Sequence, residues 1–457
     1  MSTASYTSHR GLDTIISAAL DRADSAAIVE RCLRLDGDTL TVTTEAAAQS
    51  FDLSDIDGLL VLGVGKAAAR MARALEGLLG DRISGGVVVT KYGHGEPLER
   101  LELVEAAHPV PDEAGVAGAR RMEELLRGAD TRTLVLTLVS GGGSALLVSP
   151  FRDEAHELGL DDLQQVTRLL LACGATIQEI NCLRKHLSSV KGGRLARMIS
   201  PAQSLNLILS DVVGDDPASV ASGITAPDPS TYAQALEIAR RYEVLDAFPA
   251  PARRIIEDGA AGRIAETPKP GDTVFERVHN VVIGSNTQAL LAAAAASRDA
   301  GYRTLVLTAR LVGEAREIAQ LFPAIARDIR DTSMLAAPPA CVLAGGETTV
   351  TIRDQSGTGG RNQELVLAAL QAFTAAPEAA AGVVFASVAT DGNDGPTDAA
   401  GGYLDADIAR AAAAQPSDLE DALSRNDAYH YLDRLGALIR TGPTNTNVCD
   451  IQVLIVE

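Results

Sequence analysis

The stretch LLVLGVGKAA at residues 59–68 decides the fold, because it joins an apolar run directly to a glycine turn and a helical pattern. Residues 59–62 are continuously apolar, which is typical of a parallel strand covered on both faces. Gly63 and Gly65 then follow at the spacing of the G-x-G-x-x-A turn, in which the backbone amides at a helix start favour an anion. The stretch predicts a βα unit with a phosphate-binding turn.

Short apolar runs alternate with helical patterns along the first half of the chain. A long helix is expected at residues 12–35. The alternation predicts parallel βα units, and therefore an α/β fold with a Rossmann-like, doubly wound N-terminal domain at residues 1–247. The predicted strands are 59–62, 86–90, 101–105, 133–139 and 205–209, and the predicted helices are 66–79, 112–126, 163–173 and 177–186.

The second half of the chain begins with a loosened pattern. Prolines and glycines among charged residues at 248–272 predict an interdomain region, although 253–259 fits a short helix. Residues 340–343 and 348–352 are expected to form a hairpin through Gly345 and Gly346, which predicts a mixed-sheet α/β domain at 273–457. The other strands predicted there are 280–283, 304–307, 383–388 and 451–456.

Composition and charge exclude several function classes. The chain has 457 residues and a net charge of −20, so it would repel the phosphate backbone of a nucleic acid. No apolar run approaches the roughly 18–20 residues that a membrane helix needs. The polar start of the chain lacks the layout of a signal peptide, and the five cysteines show no CxxC pair. These features predict a cytoplasmic protein with reduced thiols. We expect it to be a monomer or homodimer, although these features do not decide between the two.

A second glycine loop, Ser140-Gly141-Gly142-Gly143-Ser144, follows the apolar run at 133–139. Consecutive glycines let several N–H groups converge on one anion, and the serines add hydroxyl donors. Lys66 lies inside the first turn, and Lys91 follows the next strand where an NAD enzyme would place an acid. Both loops therefore favour phosphate over a dinucleotide, with a purely structural turn as the alternative for each.

Two acidic loops are candidates for a metal site. Asp211 and Asp216 lie in the loop after the strand at 205–209, where Mg²⁺ would balance the crowded carboxylates. The alternative is a solvated loop in which Asp216 caps a helix. Asp391 lies in a similar loop after the strand at 383–388, and for that loop a plain solvated turn is an equal alternative.

The C-terminal half contributes a cation at a helix start. Arg361 is predicted on the first helical turn after Gly359 and Gly360, where a positive charge opposes the helix dipole and suggests an anionic partner. A surface arginine paired with a nearby acid is the alternative. His94 and His108 lie in loops able to border a cleft, although single histidines are more often structural.

Taken in order, these motifs resemble the glycerate 2-kinase family, the class II glycerate kinases with a C-terminal MOFRL domain. The resemblance extends from about residue 10 to the end of the chain. It implies ATP-dependent phosphorylation of D-glycerate to 2-phospho-D-glycerate in a cleft between the two domains. The motifs that carry it are Gly63–Lys66, His108–Asp112, Ser140–Ser144, Lys185–Arg194, Ser210–Pro217, Gly345–Thr349, Gly359–Glu364 and Thr390–Asp398.

The resemblance implies that Lys66 and Arg361 are catalytic. Phosphoryl transfer needs positioning and charge neutralisation, so we expect both cations to meet the transferring group or the acid. Asp211 and Asp391 are candidates for the general base by position alone. The further expected contacts are Gly63, Gly65, Ser140, Gly141, Gly142, Gly143, Ser144, Lys191 and Asn362 for nucleotide phosphate, Lys66, Arg184 and Arg361 for substrate, and Asp211, Asp216 and Asp391 for Mg²⁺.

Two other functions remain open. An NAD(P)H-dependent hydroxypyruvate reductase fits the G-x-G-x-x-A turn, but the ribose-binding acid and a clear His–carboxylate pair are missing. A nucleotide-binding regulatory protein without turnover fits the loops, but it would not need so many charged residues in loops of both domains.

Overall fold

The computed structural model describes residues 5–45, 47–353 and 356–457, and it contains two compact units. The inserted unit is the continuous segment Ser25–Ile283. The split unit combines the chain up to Asp24 with Gly284–Glu457. No helix within the described residues has both the length and the apolar character needed to cross a membrane.

The elements are numbered in chain order. The strands are β1 Leu33–Asp36, β2 Thr39–Thr43, β3 Ala48–Asp52, β4 Gly58–Val64, β5 Gly85–Lys91, β6 Glu102–Ala106, β7 Thr133–Val139, β8 Gln203–Leu209, β9 Val278–Gly284, β10 Arg303–Glu314, β11 Ala340–Thr349, β12 Val383–Ala389, β13 Gly401–Leu404, β14 Leu438–Ile439 and β15 Asp450–Val456.

The helices are α1 Arg10–Ala23, α2 Ser25–Cys32, α3 Ala68–Leu79, α4 Glu113–Leu126, α5 Gly143–Leu146, α6 Leu160–Ala172, α7 Ile177–His186, α8 Arg194–Ile199, α9 Tyr232–Arg241, α10 Ala250–Ala260, α11 Asn286–Asp299, α12 Ala315–Ala319, α13 Leu321–Thr332, α14 Arg361–Thr374, α15 Ala406–Ala413, α16 Pro416–Ser424 and α17 Ala428–Arg434.

The inserted unit contains a six-stranded sheet in the order β6-β5-β4-β7-β8-β9. The pairs from β6 to β8 are parallel, so the order is that of a doubly wound Rossmann sheet. Every residue of β7 is buried, because the strand is apolar on both faces and covered on both. The predicted α/β fold and Rossmann-like N-terminal sheet are confirmed.

Two features of the inserted unit were not predicted. The strands β1, β2 and β3 form a separate antiparallel sheet. The run at 280–283 was assigned to the C-terminal domain, but β9 forms the edge of the Rossmann sheet instead. The Ser204 amide beside it donates to the Arg277 carbonyl at 2.9 Å.

The region predicted as an interdomain connection is folded. Helix α10 begins at Ala250, and its Ile255 and Ile256 are buried in a cluster with Tyr232 of α9. A Cβ added to Gly259 would lie 2.2 Å from the Tyr232 ring, so the two helices need a glycine at their contact. The structural division therefore differs from the predicted boundaries at 247/248 and 272/273, and the chain passes between units at 24/25 and 283/284.

The split unit contains a mixed sheet in the order β10-β11-β15-β12-β13-β14. Strands β10 and β11 are parallel, and the remaining neighbours are antiparallel. The predicted hairpin at 340–352 is wrong, because β11 runs through Gly345 and Gly346 without turning. A Cβ at Gly345 would lie 2.1 Å from Asn286 Oδ1, and one at Gly346 2.2 Å from the Leu311 carbonyl, so both glycines allow close packing.

The predicted helix at 12–35 is also wrong. It is broken at Asp24 into α1 and α2, which belong to different units, and residues 33–35 are in β1. Helix α1 packs against α11 of the split unit and buries Leu12, Ile15 and Ile16. Apolar periodicity continues across the break, so the sequence pattern did not show it.

Candidate active site

The two glycine loops predicted to bind phosphate lie against each other in the inserted unit. They follow β4 and β7, the central neighbours at which the strand order reverses, which is where open α/β sheets bind ligands. The Lys66 amide donates to the Gly141 carbonyl at 2.9 Å, and the Ala67 amide donates to Ser140 Oγ at 3.1 Å. Gly65 has φ +123°, and a Cβ there would lie 2.2 Å from Ser140 Oγ.

These contacts change the roles expected for Gly63 and Gly65. The amides of Gly65, Lys66 and Ala68 donate to backbone carbonyls, and that of Ala67 donates to Ser140. The amides of residues 65–68 are therefore occupied by protein acceptors and do not offer the phosphate contact predicted for this part of the turn. A Cβ at Gly63 would lie 2.9 Å from Val88 Cγ1, so both glycines serve close packing.

The second loop keeps donors available. Within the described chain, no hydrogen bond is formed by the amides of Gly141 and Gly142. Gly142 has φ +81°, and Lys66 Cγ lies 3.3 Å from the position of a Cβ added there. This loop therefore combines two free backbone donors with the half-buried Lys66 side chain, as an anion site requires.

The loop also borders a pocket of about 130 Å³. Gly142 and Ser144 form one wall, and Ser144 Oγ lies 2.7 Å from Ser222 Oγ, which donates to Asn181 Oδ1. No acidic residue lines it, and all of its lining residues are within the described chain. Its other polar side chains come from loops and from α6 and α7, and they are His108, Ser149, Thr167, Arg184, Ser188 and Lys191.

Arg184 and Lys191 face this pocket without an acidic partner. No ion pair is formed by either side chain within the described residues, and Lys191 Nζ donates only to the Leu147 carbonyl, at 2.7 Å. Burial and the positive charge of Arg184 lower the pKa of Lys191 to about 7, and burial lowers the pKa of Arg184. Two adjacent cations held without a counterion indicate a site for an anion.

A buried polar network holds the two cations in place. Arg194 donates to the carbonyls of Lys185 and Ser188, at 2.6 and 2.8 Å, and to the Tyr232 hydroxyl. Lys185 pairs with the wholly buried Asp228, and its charge lowers the pKa of Asp228 although burial acts in the opposite direction. The end of α7 and the turn at 188–191, which carry Arg184 and Lys191, are thereby fixed.

Arg361 lies at the start of α14 in the split unit. Its Nε and Nη2 donate to Asp450 at 2.6 and 2.9 Å, and its Nη1 is 2.9 Å from Glu347 Oε1. Burial alone would lower the pKa of Arg361, but the Asp450 carboxylate raises it. The guanidinium is therefore permanently charged and rigidly oriented, with about a third of the side chain exposed.

The predicted nucleotide contact of Asn362 is not supported. Asn362 is wholly buried, its Nδ2 donates to Asp394 at 3.2 Å, and its Oδ1 accepts from Ser387 Oγ at 2.5 Å. Asp394 also accepts from the amides of Asn362 and Gln363, so it caps the start of α14. Asn362 thus helps to hold the helix that carries Arg361.

The three predicted metal ligands belong to two different units. Asp211 follows β8, beside the loop after β7, whereas Asp391 belongs to the split unit. Asp216 accepts from the Ala218 amide and from Ser219 Oγ within its own loop, as the capping alternative predicts. Among the described residues, no three histidines, cysteines or acids are placed to hold a metal.

Sequence reasoning missed three supports of the site. Asp450 is a lone acid at the start of an apolar strand, which is a signal that was available. Ser222, whose φ is +57°, lacks a local pattern that would single it out, and the buried Arg194 ends the motif Lys185–Arg194 without a predicted role of its own. Their roles depend on contacts with residues far away in the sequence.

Comparisons with known proteins identify the family. A profile described as a domain of unknown function (DUF4147) matches residues 11–257, and the MOFRL family profile matches residues 340–450. A glycerate 2-kinase of Pyrococcus horikoshii is 37% identical, covering 97% of this chain and 96% of its own. The chain belongs to the glycerate 2-kinase family. The predicted resemblance is thereby confirmed.

Two further relatives show how the family is named. A crystal structure of a glycerate kinase from Thermotoga maritima has 37% identity and a TM-score of 0.81, covering 97% of this chain and 98% of its own. An Agrobacterium vitis protein named as a putative hydroxypyruvate reductase is 42% identical over 87% of both chains. The glycerate 2-kinase family therefore includes members that carry the reductase name.

Proposed function

We propose that this chain transfers the γ-phosphoryl group of ATP to the 2-hydroxyl of D-glycerate. The observation that carries the proposal is the pocket in which Arg184 and Lys191 have no counterion among the described residues, directly beside the Ser140–Ser144 loop. An acid bound by these cations would have its hydroxyl next to a phosphate held by the loop. Proximity of this kind is the main contribution a kinase makes to phosphoryl transfer.

The size of the pocket supports a small acid as its occupant. A volume of about 130 Å³ is well below the roughly 300–1,000 Å³ of pockets that take drug-sized ligands, so the space suits a three-carbon acid and not a nucleotide. Arg184 offers the planar fork that pairs with a carboxylate, and Lys191 adds a point charge. We therefore assign both residues to the acid, which moves Lys191 from the phosphate set to the substrate set.

The nucleotide phosphates belong to the neighbouring loop in this proposal. The free amides of Gly141 and Gly142 bind phosphate oxygens, and Lys66 neutralises charge on the transferring group. Ser140 and Gly143 shape the loop, because Ser140 Oγ accepts from Ala67 and a Cβ at Gly143 would lie 2.8 Å from Ala221 Cβ. Arg361 remains the proposed second catalytic cation.

The acidic loop after β8 fits a Mg²⁺ ligand at one position. Mg²⁺ in kinases takes one or two carboxylates and keeps its other positions for water and phosphate oxygens, so a cluster of three acids is not required. Asp211 lies at the strand end next to the phosphate loop and fits this role, whereas the contacts of Asp216 favour capping. Bound Mg²⁺ would offset the negative charge of the nucleotide phosphates.

Phosphorus NMR tests the activity and its regiochemistry together. The chain is incubated with D-glycerate, ATP and Mg²⁺, and we expect signals of 2-phosphoglycerate and ADP. A signal of 3-phosphoglycerate would support the kinase activity but overturn the proposal that the 2-hydroxyl is the acceptor. Absence of any phosphorylated acid, with ATP unchanged, would overturn the proposed function.

The hydroxypyruvate reductase remains the second candidate, because a relative carries that name. The contacts of the first glycine turn argue against it, since the amides of residues 65–68 donate to protein acceptors. An absorbance assay with hydroxypyruvate and either NADH or NADPH discriminates the two activities, and we expect no oxidation. The cytoplasmic location and the assembly as monomer or homodimer stay predictions.

A further inference from the structure

We propose that His108 is the general base that accepts the proton of the substrate hydroxyl, an inference that rests on the proposed kinase function. The sequence left this base unassigned between Asp211 and Asp391. Neither of these two residues lines the pocket assigned to the substrate acid, whereas His108 does.

The imidazole of His108 faces both partners of the reaction. It lines the pocket together with Arg184 and Lys191, and its Nε2 lies 3.2 Å from the position of a Cβ added to Gly142. It therefore lies between the cations assigned to the acid and the loop assigned to the phosphates. Within the described chain, His108 forms no hydrogen bond to protein, so its ring nitrogens are available to a ligand.

The charges around His108 keep the ring unprotonated. Burial acts first, and the cations of Lys66 and Lys91, followed by His94 and Arg184, act in the same direction, lowering the pKa of His108 to about 4. Lys191 lines the same pocket and adds a further nearby cation. At neutral pH the imidazole is therefore a proton acceptor. Anionic substrates would offset these cations and strengthen the base when the site is filled.

Other groups in the pocket fit the role less well. None of the lining residues is Asp or Glu, and Lys191 Nζ already donates to the Leu147 carbonyl. In the proposed step, the hydroxyl proton passes to a ring nitrogen of His108 as the hydroxyl oxygen bonds to the γ-phosphorus. The bond from phosphorus to the bridging oxygen breaks, ADP leaves with the electron pair, and the imidazolium releases its proton to solvent.

Three variants test the assignment. His108→Ala and His108→Gln remove the base, and His430→Gln is a matched control because His430 is an exposed histidine paired with Asp427. We expect both His108 variants to lower kcat by about 100-fold or more while the KM for D-glycerate changes by less than about 3-fold. The control should keep the wild-type kcat.

Rescue separates a base from a structural residue. Added imidazole should restore part of the kcat of His108→Ala, and substituted imidazoles should rescue in order of their basicity. Should His108→Ala fail to fold, the kcat of His108→Gln and its solvent isotope effect decide the same question. A His108→Gln kcat within about 3-fold of wild type, or a raised KM with unchanged kcat, would overturn the assignment. Lack of glycerate phosphorylation by the wild-type chain would instead overturn the proposed function.

Discussion

At the scale of single residues, the cations predicted to bind ligands differ in their counterions. Arg361 has its own carboxylates, Asp450 and Glu347, and is therefore charged and oriented before any ligand binds. Arg184 and Lys191 have none within the described residues, so their charge is balanced only when an anion is present. The first arrangement suits Arg361 to orienting a ligand, and the second suits Arg184 and Lys191 to binding an anion.

Lys66 tests the phosphate side of the proposal. Lys66→Ala removes the charge beside the free amides of the second glycine loop, so we expect kcat to fall by about 100- to 1,000-fold. Lys66→Arg should recover only part of the activity, because a planar fork does not replace a compact ammonium. Steady-state kinetics with Arg120→Ala, an exposed cation on α4, as the control measures this loss. Near-normal turnover of Lys66→Ala would contradict a catalytic role of Lys66.

The lowered pKa of Lys191 predicts that the affinity for D-glycerate depends on pH. Its pKa of about 7 means that the ammonium is largely lost above neutral pH, and an anion in the pocket would raise this pKa. The complex then holds more protons than the free chain, so the affinity for D-glycerate should fall as pH rises from 7 to 9. Calorimetry in buffers of different ionisation enthalpy should show proton uptake near pH 7. In Lys191→Met the uptake and the pH dependence should be lost.

At the scale of elements, the glycine loops are fixed by contacts between β4 and β7. Residues 59–62 and 133–139 were predicted correctly because continuous apolar runs leave little choice of structure. The contacts of the first turn were not predictable, since two of the acceptors of its amides, in Ser140 and Gly141, lie more than seventy residues further along the chain. The same limit explains Gly345 and Gly346, which look like a turn until Asn286 and Leu311 are placed beside them.

Gly65 should tolerate no side chain. In Gly65→Ala, the φ of +123° is strained and the new Cβ would overlap Ser140 Oγ and its carbonyl, so the two loops must separate. We expect a loss of several kcal/mol in the free energy of unfolding, on the order of 2–4 kcal/mol, and a loss of turnover. Gly77→Ala on α3 is the control, since a Cβ there meets nothing within 4 Å. It should be neutral or stabilising by about 0.5–1 kcal/mol in urea unfolding.

We expect Asp450 to affect catalysis by orienting the guanidinium of Arg361. Asp450→Ala leaves the guanidinium with Glu347 alone and should destabilise the chain by about 3 kcal/mol, the low end for breaking a buried pair. Asp450→Asn keeps the shape and one acceptor, so we expect near-normal unfolding but a clear fall in kcat. Thermal unfolding and kinetics of both variants measure this, and equal kcat in Asp450→Asn and wild type would contradict a positioning role.

At the scale of the whole molecule, the division of the chain differs from the predicted two consecutive domains. The alternation of strands and helices indicates the fold class of each half, and both halves have the class expected. It does not show that α1 packs on α11, because the periodicity of an amphipathic helix indicates which face is buried but not which element covers that face. Domain boundaries were therefore less predictable than strands.

The division of the chain into two units predicts which fragments fold on their own. Residues 25–283 should fold alone, because the Rossmann sheet and its helices lie within this segment. Residues 284–457 should be unstable alone, since α11 would expose the surface that covers Leu12, Ile15 and Ile16. Circular dichroism and thermal unfolding of both fragments measure this. Adding a peptide of residues 5–24 should stabilise the second fragment, and a stable 284–457 without it would contradict the prediction.

The position of α1 also has a consequence for synthesis on the ribosome. The helix leaves the exit tunnel before the inserted unit, but its partner α11 begins only at Asn286. The nascent chain must therefore carry an amphipathic helix with an uncovered apolar face while the whole of the inserted unit is translated, at about 5–20 residues per second. Chaperones that bind exposed apolar segments would meet α1 during this interval. Helix α1 is made before the inserted unit but is packed only after it.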